Sequence, residues 1–385
     1  MGGVGDIKGS DLKPLRKLGE GAFAVVEEAV YTPPSWEGQD RTPSGKPIAP
    51  RRVAVKRLKP AIIDHEGDLE SFINEIALLR KLANRRIVEY IGVGSSDLSS
   101  EEAKRKSMFL VQEFMDGGTL KKLVSRQMLD MSRHIYSFDD AFRWAVHVAE
   151  GLEYLHTSRP VVIHRDLKLE NILLKGTDPH MSEAKIADFG LVAIVRPRDR
   201  ALHEKLEASD AAQLQRQQSV SRSTFMRMMS SRKQLAMSPQ EAWDESFKVN
   251  QLARMRTLPP QQLSGRTGSY MYMAPEMYRQ EAYTEKVDVF SYGVIIFEVC
   301  AISIAGTEEE IESYAAKVSR GYRPPLPAAW PEALRRLIAA CWEQDPALRP
   351  SMAAVKEALA RMQAEGVPAE MQKLAIQPMC QCAIC

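Results

Sequence analysis

The sequence predicts an α+β chain in two lobes: a small β-rich N-terminal lobe with one main helix, and a larger, mainly helical C-terminal lobe. Three observations predict it. The 385 residues exceed the roughly 250–300 at which one hydrophobic core usually stops growing. Up to about Met115 short strand-like runs dominate, among them Val53 to Leu58, where apolar and polar residues alternate with the period of a strand. From Leu120 onward they recur at helical spacing.

Taken in order, residues 12–30 read as strand, glycine turn and strand, and Val53 to Leu58 alternates as a further strand. Leu69 to Leu82 carries its apolar residues at helical intervals and is the main helix of the first lobe. Phe109 to Phe114 reads as a strand, and Asp116-Gly117-Gly118 breaks the pattern as a hinge would. In the second lobe, Phe138 to His156 is one amphipathic helix, and Asp288 to Val299 is apolar enough to be a helix buried on all sides. Three stretches interrupt this plan and read as surface insertions: Tyr31 to Pro50, Ser95 to Lys106, and much of the segment between Asp188 and Glu276. The expected division is an N-terminal segment 1–11, an N-lobe 12–115, a C-lobe 116–362 with an insertion at about 196–262, and a cysteine-containing tail 363–385.

Composition excludes several classes of function. Hydrophobic residues make up 44% and charged residues 26%, which is ordinary for a folded soluble chain. A net charge of +2 gives no argument for nucleic acid as an obligate partner. No apolar run reaches the roughly 18 residues of a spanning helix, and Met1 to Ser10 lacks the layout of a signal peptide. Of five cysteines, Cys300 and Cys341 sit in apolar helical surroundings and the others crowd the C-terminus, so no disulfide framework is expected. A cytoplasmic, reducing location is the expectation.

The chemistry is concentrated in His164-Arg165-Asp166-Leu167-Lys168-Leu169-Glu170-Asn171 and the later Asp188-Phe189-Gly190. Phosphoryl transfer from ATP asks for a carboxylate to orient the accepting hydroxyl, a cation near the migrating group, and two oxygen ligands for a divalent metal. Asp166, Lys168, Asn171 and Asp188 can supply them in that order. In these two motifs the chain resembles the protein kinase family.

The resemblance implies a bilobal protein-kinase fold and assigns roles to further residues. Leu18-Gly19-Glu20-Gly21-Ala22-Phe23-Ala24-Val25-Val26 is similar to the glycine-rich loop whose backbone N–H groups approach ATP phosphates, with Val26 packing on adenine. Alone, a glycine pair in a hairpin is only a turn, and Ala24 stands where the family usually has a third glycine. Ala54 would border the nucleotide. Lys56, in Val53-Ala54-Val55-Lys56, resembles the lysine that holds the α and β phosphates, with Glu75 as its carboxylate partner. Glu113 and Met115 match hinge positions that bond adenine through their backbone, Leu173 the floor beneath the base, and Gln112 the guard of the rear pocket. Asn171 and Asp188 would ligate Mg²⁺, with Mn²⁺ as a substitute. Ala274-Pro275-Glu276, Arg349 and Asp288 match structural positions. Lys168 in the catalytic loop resembles Ser/Thr enzymes. The Gly268 to Glu276 and Cys341 to Pro346 stretches resemble the tyrosine-kinase-like group that includes Raf, mixed-lineage and plant-type members.

The departure from the family is the long Asp188 to Glu276 segment. Gln213 to Gln240 holds Lys and Arg but no acid, and includes Ser219, Ser221, Ser223 and Ser238. Phosphate there, or on Thr267, would order the segment through arginines such as Arg165, placed by an upstream kinase. The alternative is an inert insertion. A basic, Met-rich run around Phe225 to Arg232 could instead dock in the cleft or bind a calmodulin-like partner. Cys382 to Cys385 has the shape of a prenylation signal, with Cys380 available for a second lipid, so the membrane is a partner only if this cluster is lipidated. An inert tail, or a zinc or redox role, are the other readings. The expected activity is transfer of the ATP γ-phosphate to protein Ser/Thr hydroxyls. Its rivals are a catalytically idle scaffold acting through partners and a small-molecule kinase of related fold.

Overall fold

The computed structural model describes residues 7–33, 50–63, 66–130, 134–195, 269–303 and 308–376. The readings on Ser219 to Ser238, Thr267, the Met-rich run and Cys380 to Cys385 lie outside them, as does most of the insertion after Tyr31.

The N-lobe is a six-stranded sheet in the order β1-β5-β6-β4-β3-β2. Its strands are β1 (Ile7–Lys8), β2 (Leu12–Glu20), β3 (Ala24–Tyr31), β4 (Arg51–Leu58), β5 (Tyr90–Ser95) and β6 (Met108–Glu113). Helices α1 (Pro60–Ile63) and α2 (Glu66–Leu79) follow β4. Because side chains alternate across a strand, the sheet sorts its residues onto two faces. Val53, Val55, Phe109 and Val111 pack with Ile7, Leu12, Ala29 and Ile91 on one face. Leu110, one register step away, joins Phe72, Ile76 and Leu79 of α2 on the other. Lys56 is opposite Leu110 on β6 and Val26 on β3, so the same alternation turns it toward α2 and the cleft.

Two expectations about boundaries change. Residues 1–11 were set apart from the lobe, yet Ile7 is buried and β1 pairs in parallel with β5, Ile7 opposite Gly94. The Ile7 carbonyl lies 1.9 Å from where a Cβ on Gly94 would stand, so only glycine admits this strand. Ser95 to Lys106 is mostly exposed but is not all loop: Ser95 ends β5, and α3 (Glu101–Lys106) is capped by Ser100, whose hydroxyl accepts from Ala103 N at 3.0 Å.

The C-lobe is built around α5 (Phe138–Thr157) and α7 (Lys286–Ala301), with α4 (Leu120–Leu129), α6 (Pro275–Tyr278), α8 (Glu308–Ser319), α9 (Glu332–Cys341), α10 (Met352–Ala364) and α11 (Val367–Ile376). As its composition predicts, α7 is buried nearly all round, from Val287 to Cys300. Three short ladders lie under the cleft: β7 (Gly118–Thr119) with β9 (Ile172–Lys175), β9 with β10 (Glu183–Ile186), and β8 (Val161–Ile163) with β11 (Ala193–Val195). The assigned tail also changes. Its first part is α11, where Val367 and Met371 are buried and Gln372 Oε1 accepts from Phe138 N at 3.1 Å. The C-lobe therefore extends past residue 362.

Candidate active site

The fold brings Lys56, Glu75 and Asp188 into contact from three separate elements. Lys56 Nζ donates to Glu75 Oε1 at 2.8 Å and Oε2 at 2.9 Å, and to Asp188 Oδ1 at 3.0 Å. Glu75 is 3% exposed while the Asp188 side chain is 41% exposed, so one carboxylate anchors the lysine from within and the other faces the cleft. Burial opposes the charge on Lys56, but Asp188 and Glu75 outweigh it and raise its pKa. The Lys56 ammonium holds the Asp188 carboxyl down to about 2, against the smaller effect of burial. Burial dominates at Glu75 and moves its pKa up.

Beside this group lies the loop that carries Asp166, Lys168 and Asn171. Lys168 Nζ donates to Asp166 Oδ2 at 2.8 Å, and Asn171 Nδ2 to the same oxygen at 3.0 Å and to Asp166 O at 2.7 Å. Asp166, Lys168 and Asn171 are all buried. With its Nδ2 committed to Asp166, Asn171 keeps its carbonyl oxygen as the side-chain atom suited to a hard cation. Positive charge on Lys168 also helps to lower the pKa of Asp188, which relates the loop electrostatically to the Asp188 turn.

Buried groups hold this loop in shape. Asp288 on α7 is fully buried; its Oδ2 accepts from His164 N at 2.8 Å and its Oδ1 from Arg165 N at 2.9 Å. Arg165 has φ 66° and Asp188 φ 63°, the left-handed region that side-chain-bearing residues avoid. Such a conformation costs on the order of 1–3 kcal/mol, and at Arg165 the carboxylate bond to its N–H fixes it. His156 Nε2 lies 2.8 Å from Asp288 Oδ2. Burial works to raise the Asp288 pKa, but the bonds from His156 and the His164 N–H leave it lowered. His164 Nε2 donates to Ala187 O at 3.0 Å, and its ring meets Phe189 edge-on at 5.1 Å. Phe189 is buried, which leaves Asp188 turned to Lys56. The guanidinium of Arg165 donates to Tyr283 Oη at 2.9 Å, to Val192 O at 3.3 Å and to Leu191 O.

The remaining predicted residues line the cleft roof and hinge. Gly21 N donates to Ala24 O at 2.9 Å, closing the turn between β2 and β3. A Cβ at Gly19 would meet nothing within 4 Å, so packing does not demand this glycine and the space is open to a ligand. Ala22 is exposed, Ala24 is buried, and Leu18, Phe23, Val25, Val26 and Ala54 are half-buried. Glu20 turns aside from this space: Lys17, and Lys59 at 2.6 Å, hold its carboxyl down to about 2. Met115 clusters with Val88 and Ala187, and Leu173 packs against that cluster. Gln112 Nε2 is buried with no hydrogen-bond partner, an orphan donor at the rear of the cleft. Farther off, Arg349 and Glu276 form a buried two-pronged pair at 2.6 and 2.9 Å.

These residues fit a metal nucleotide. Among the described residues no three His, Cys, Asp or Glu are gathered to hold an ion by themselves. A divalent cation here would rely on Asn171 and Asp188 together with phosphate oxygens and water. Sequence reasoning missed three contributors: His156 on Asp288, and Lys175 and Lys185 at the hinge. Lys175 Nζ donates to Phe114 O at 2.7 Å, and Lys185 Nζ to Glu113 Oε1 at 2.5 Å. The spacing of Lys185 three residues before Asp188 was a signal, but its partner depends on how β9 and β10 align.

Comparison with known proteins agrees with this geometry. A family model described as protein tyrosine and serine/threonine kinase matches residues 12–213 and 251–359. A probable serine/threonine-protein kinase of Dictyostelium discoideum is 29% identical over 348 residues, 90% of this chain and 27% of its own length. The serine/threonine-protein kinase VIK of Arabidopsis thaliana is 27% identical over 94% of this chain and 62% of its own. The serine/threonine/tyrosine-protein kinase HT1 of the same plant is 26% identical over 83% of this chain and 63% of its own. The chain thus spans less than two thirds of each of these relatives.

Proposed function

We propose that this chain, which belongs to the protein tyrosine and serine/threonine kinase family, transfers the γ-phosphate of MgATP to serine and threonine hydroxyls of protein substrates. The observation that carries the reading is the Lys56 contact to both Glu75 and Asp188, formed beside an Asp166 already held by Lys168 and Asn171. No catalytic position is vacant, which argues against an idle scaffold. Lys168 and the names of the relatives above support Ser/Thr substrates, and the plant relatives support the tyrosine-kinase-like group.

The chain's own groups divide the work as follows. When bound, the metal nucleotide supplies the transferable phosphoryl group and the cation that neutralises its oxygens. Lys56 holds the α and β phosphates, and Glu75 keeps that ammonium in place. Asn171 and Asp188 would hold magnesium, with manganese as a substitute. Asp188 suits this role because its low pKa keeps it anionic at every physiological pH. Asp166 orients the substrate hydroxyl and takes its proton as the hydroxyl oxygen bonds to the γ-phosphorus and the bond from that phosphorus to the β-phosphate oxygen breaks, releasing ADP. Lys168 stabilises the charge that spreads over the migrating group. Backbone groups of Glu113 and Met115 read adenine, and the Leu18 to Val26 turn, Ala54 and Leu173 enclose it.

We also place the chain in the cytoplasm, with phosphorylation of the segment between Asp188 and Glu276 by an upstream kinase as its control. Membrane attachment enters only if the C-terminal cysteines are lipidated. The test of the activity is mass-spectrometric detection of phosphate incorporated into serine or threonine from MgATP by purified protein. Incorporation lost in Asp166→Ala is the expected result; equal incorporation in Asp166→Ala would overturn the reading.

A further inference from the structure

We propose that Lys185, seconded by Lys175, is a positioning residue for nucleotide binding, pinning the adenine-reading hinge to the floor of the cleft. This rests on the nucleotide reading above. Lys185 on β10 is directly opposite Leu173 on β9. Opposed residues of an antiparallel pair project to the same face, and so do residues two apart on one strand. Leu173, Lys175 and Lys185 therefore present themselves together to the hinge. Leu173 packs against the cluster of Val88, Met115 and Ala187. The two ammonium groups take the flanking positions, Lys185 on Glu113 Oε1 at 2.5 Å and Lys175 on Phe114 O at 2.7 Å.

Glu113 is the focus of these bonds. Its Oε1 also accepts from Glu89 N at 2.8 Å, and its own N–H donates to Glu89 O at 3.0 Å. The Lys185 and Glu113 side chains are 13% and 12% exposed, so water screens the pair little. Removing the lysine leaves a mostly buried carboxylate without its cation, and the strand end that carries the adenine contacts loses its hold on the C-lobe. Small displacements of positioning groups are enough to weaken a bound geometry. The pair coexists with the assembled Lys56, Glu75 and Asp188 contacts, so it accompanies the assembled site and does not prevent it.

The test is a double-mutant cycle read by MgATP affinity in calorimetry, with kcat and KM for ATP measured in parallel and thermal unfolding as the folding control. Lys185→Met is expected to weaken MgATP roughly 3- to 10-fold, a size typical of contacting residues, with kcat within about two-fold. Glu113→Gln, which keeps an acceptor for the Glu89 N–H, is expected to lose a similar amount, and the double variant no more than either single one. Lys185→Arg is expected to retain affinity. Unchanged affinity in folded Lys185→Met, fully additive losses in the cycle, or a several-fold rise in kcat at constant affinity would each overturn the proposal. If Lys185→Met does not fold, Glu113→Gln against Lys185→Arg decides it: loss in the first with retention in the second supports the pin, and any other pattern overturns it. No MgATP uptake by the unsubstituted chain would remove the nucleotide reading itself, and this inference with it.

Discussion

Lys56 on β4 and Glu75 on α2 meet through both carboxylate oxygens, at 2.8 and 2.9 Å, with Asp188 on the third side of the same ammonium. Lys56→Met should therefore damage two functions at once. Phosphate transfer should fall by 100-fold or more on the order expected when a preorganised electrostatic contact is lost. Stability should fall by ~3–5 kcal/mol, because Glu75 is left buried and unpaired. Steady-state kinetics and urea unfolding check both. Adding Glu75→Gln should restore much of the stability and none of the activity.

Asp288 reaches two backbone N–H groups of the catalytic loop. Replacing it by Ala leaves both without partners, at ~1–3 kcal/mol for each buried donor. Asp288→Asn, with one acceptor oxygen in place of two, should retain the fold at lower stability and lose more in kcat than in KM. Comparable losses in both parameters would instead point to a general loosening of the lobe.

His147 on α5 gives a pH dependence. Its Nδ1 accepts from Ala184 N at 3.1 Å, which requires the neutral ring, and burial with Arg86 nearby pushes its pKa down to about 4. The unfolded chain binds a proton near 6.5 and the folded one only near 4, so stability present above about 6.5 is lost as pH falls toward 4. The shift corresponds to about 3 kcal/mol at ~1.36 kcal/mol per unit. Unfolding free energies between pH 7 and 4 should decline steeply for the natural chain and less for His147→Gln, whose amide oxygen can still accept. Parallel profiles would refute the assignment.

The Arg349 and Glu276 pair is sealed from water, at 0% and 2% side-chain exposure. Arg349→Met should cost ~3–5 kcal/mol, and Arg349→Met with Glu276→Gln clearly less, because the stranded charge and not the lost attraction dominates. Differential scanning calorimetry of the two variants measures the difference.

Met371→Ala tests the extent of the C-lobe. Met371 on α11 is 1% exposed, so truncation should cost ~2–5 kcal/mol, whereas a residue in a loose tail would cost nothing measurable.

Residues whose partners are fixed by local spacing were legible in the sequence. Asp166, Lys168 and Asn171 lie in one turn of loop, and period-2 alternation already turned Lys56 from the face that Val53 and Val55 share. The mostly apolar α7 was likewise readable from composition, and with it the buried setting of Asp288. What escaped depends on pairings between distant segments. Lys185 finds Glu113 only through the alignment of β9 with β10, and Ile7 finds Gly94 only once β5 is in place. The α11 helix escaped because its place in the fold is set by a distant pairing, Gln372 with Phe138, which nothing in its own stretch of sequence announces.

Ile7 and Gly94 have a practical consequence for anyone producing this protein. A recombinant version begun at Leu12, where the family match starts, would strip the parallel strand from β5 and uncover Phe109 beneath it. The bare margin would then offer unpaired amides and carbonyls to neighbouring molecules, and such a preparation should self-associate in proportion to its concentration.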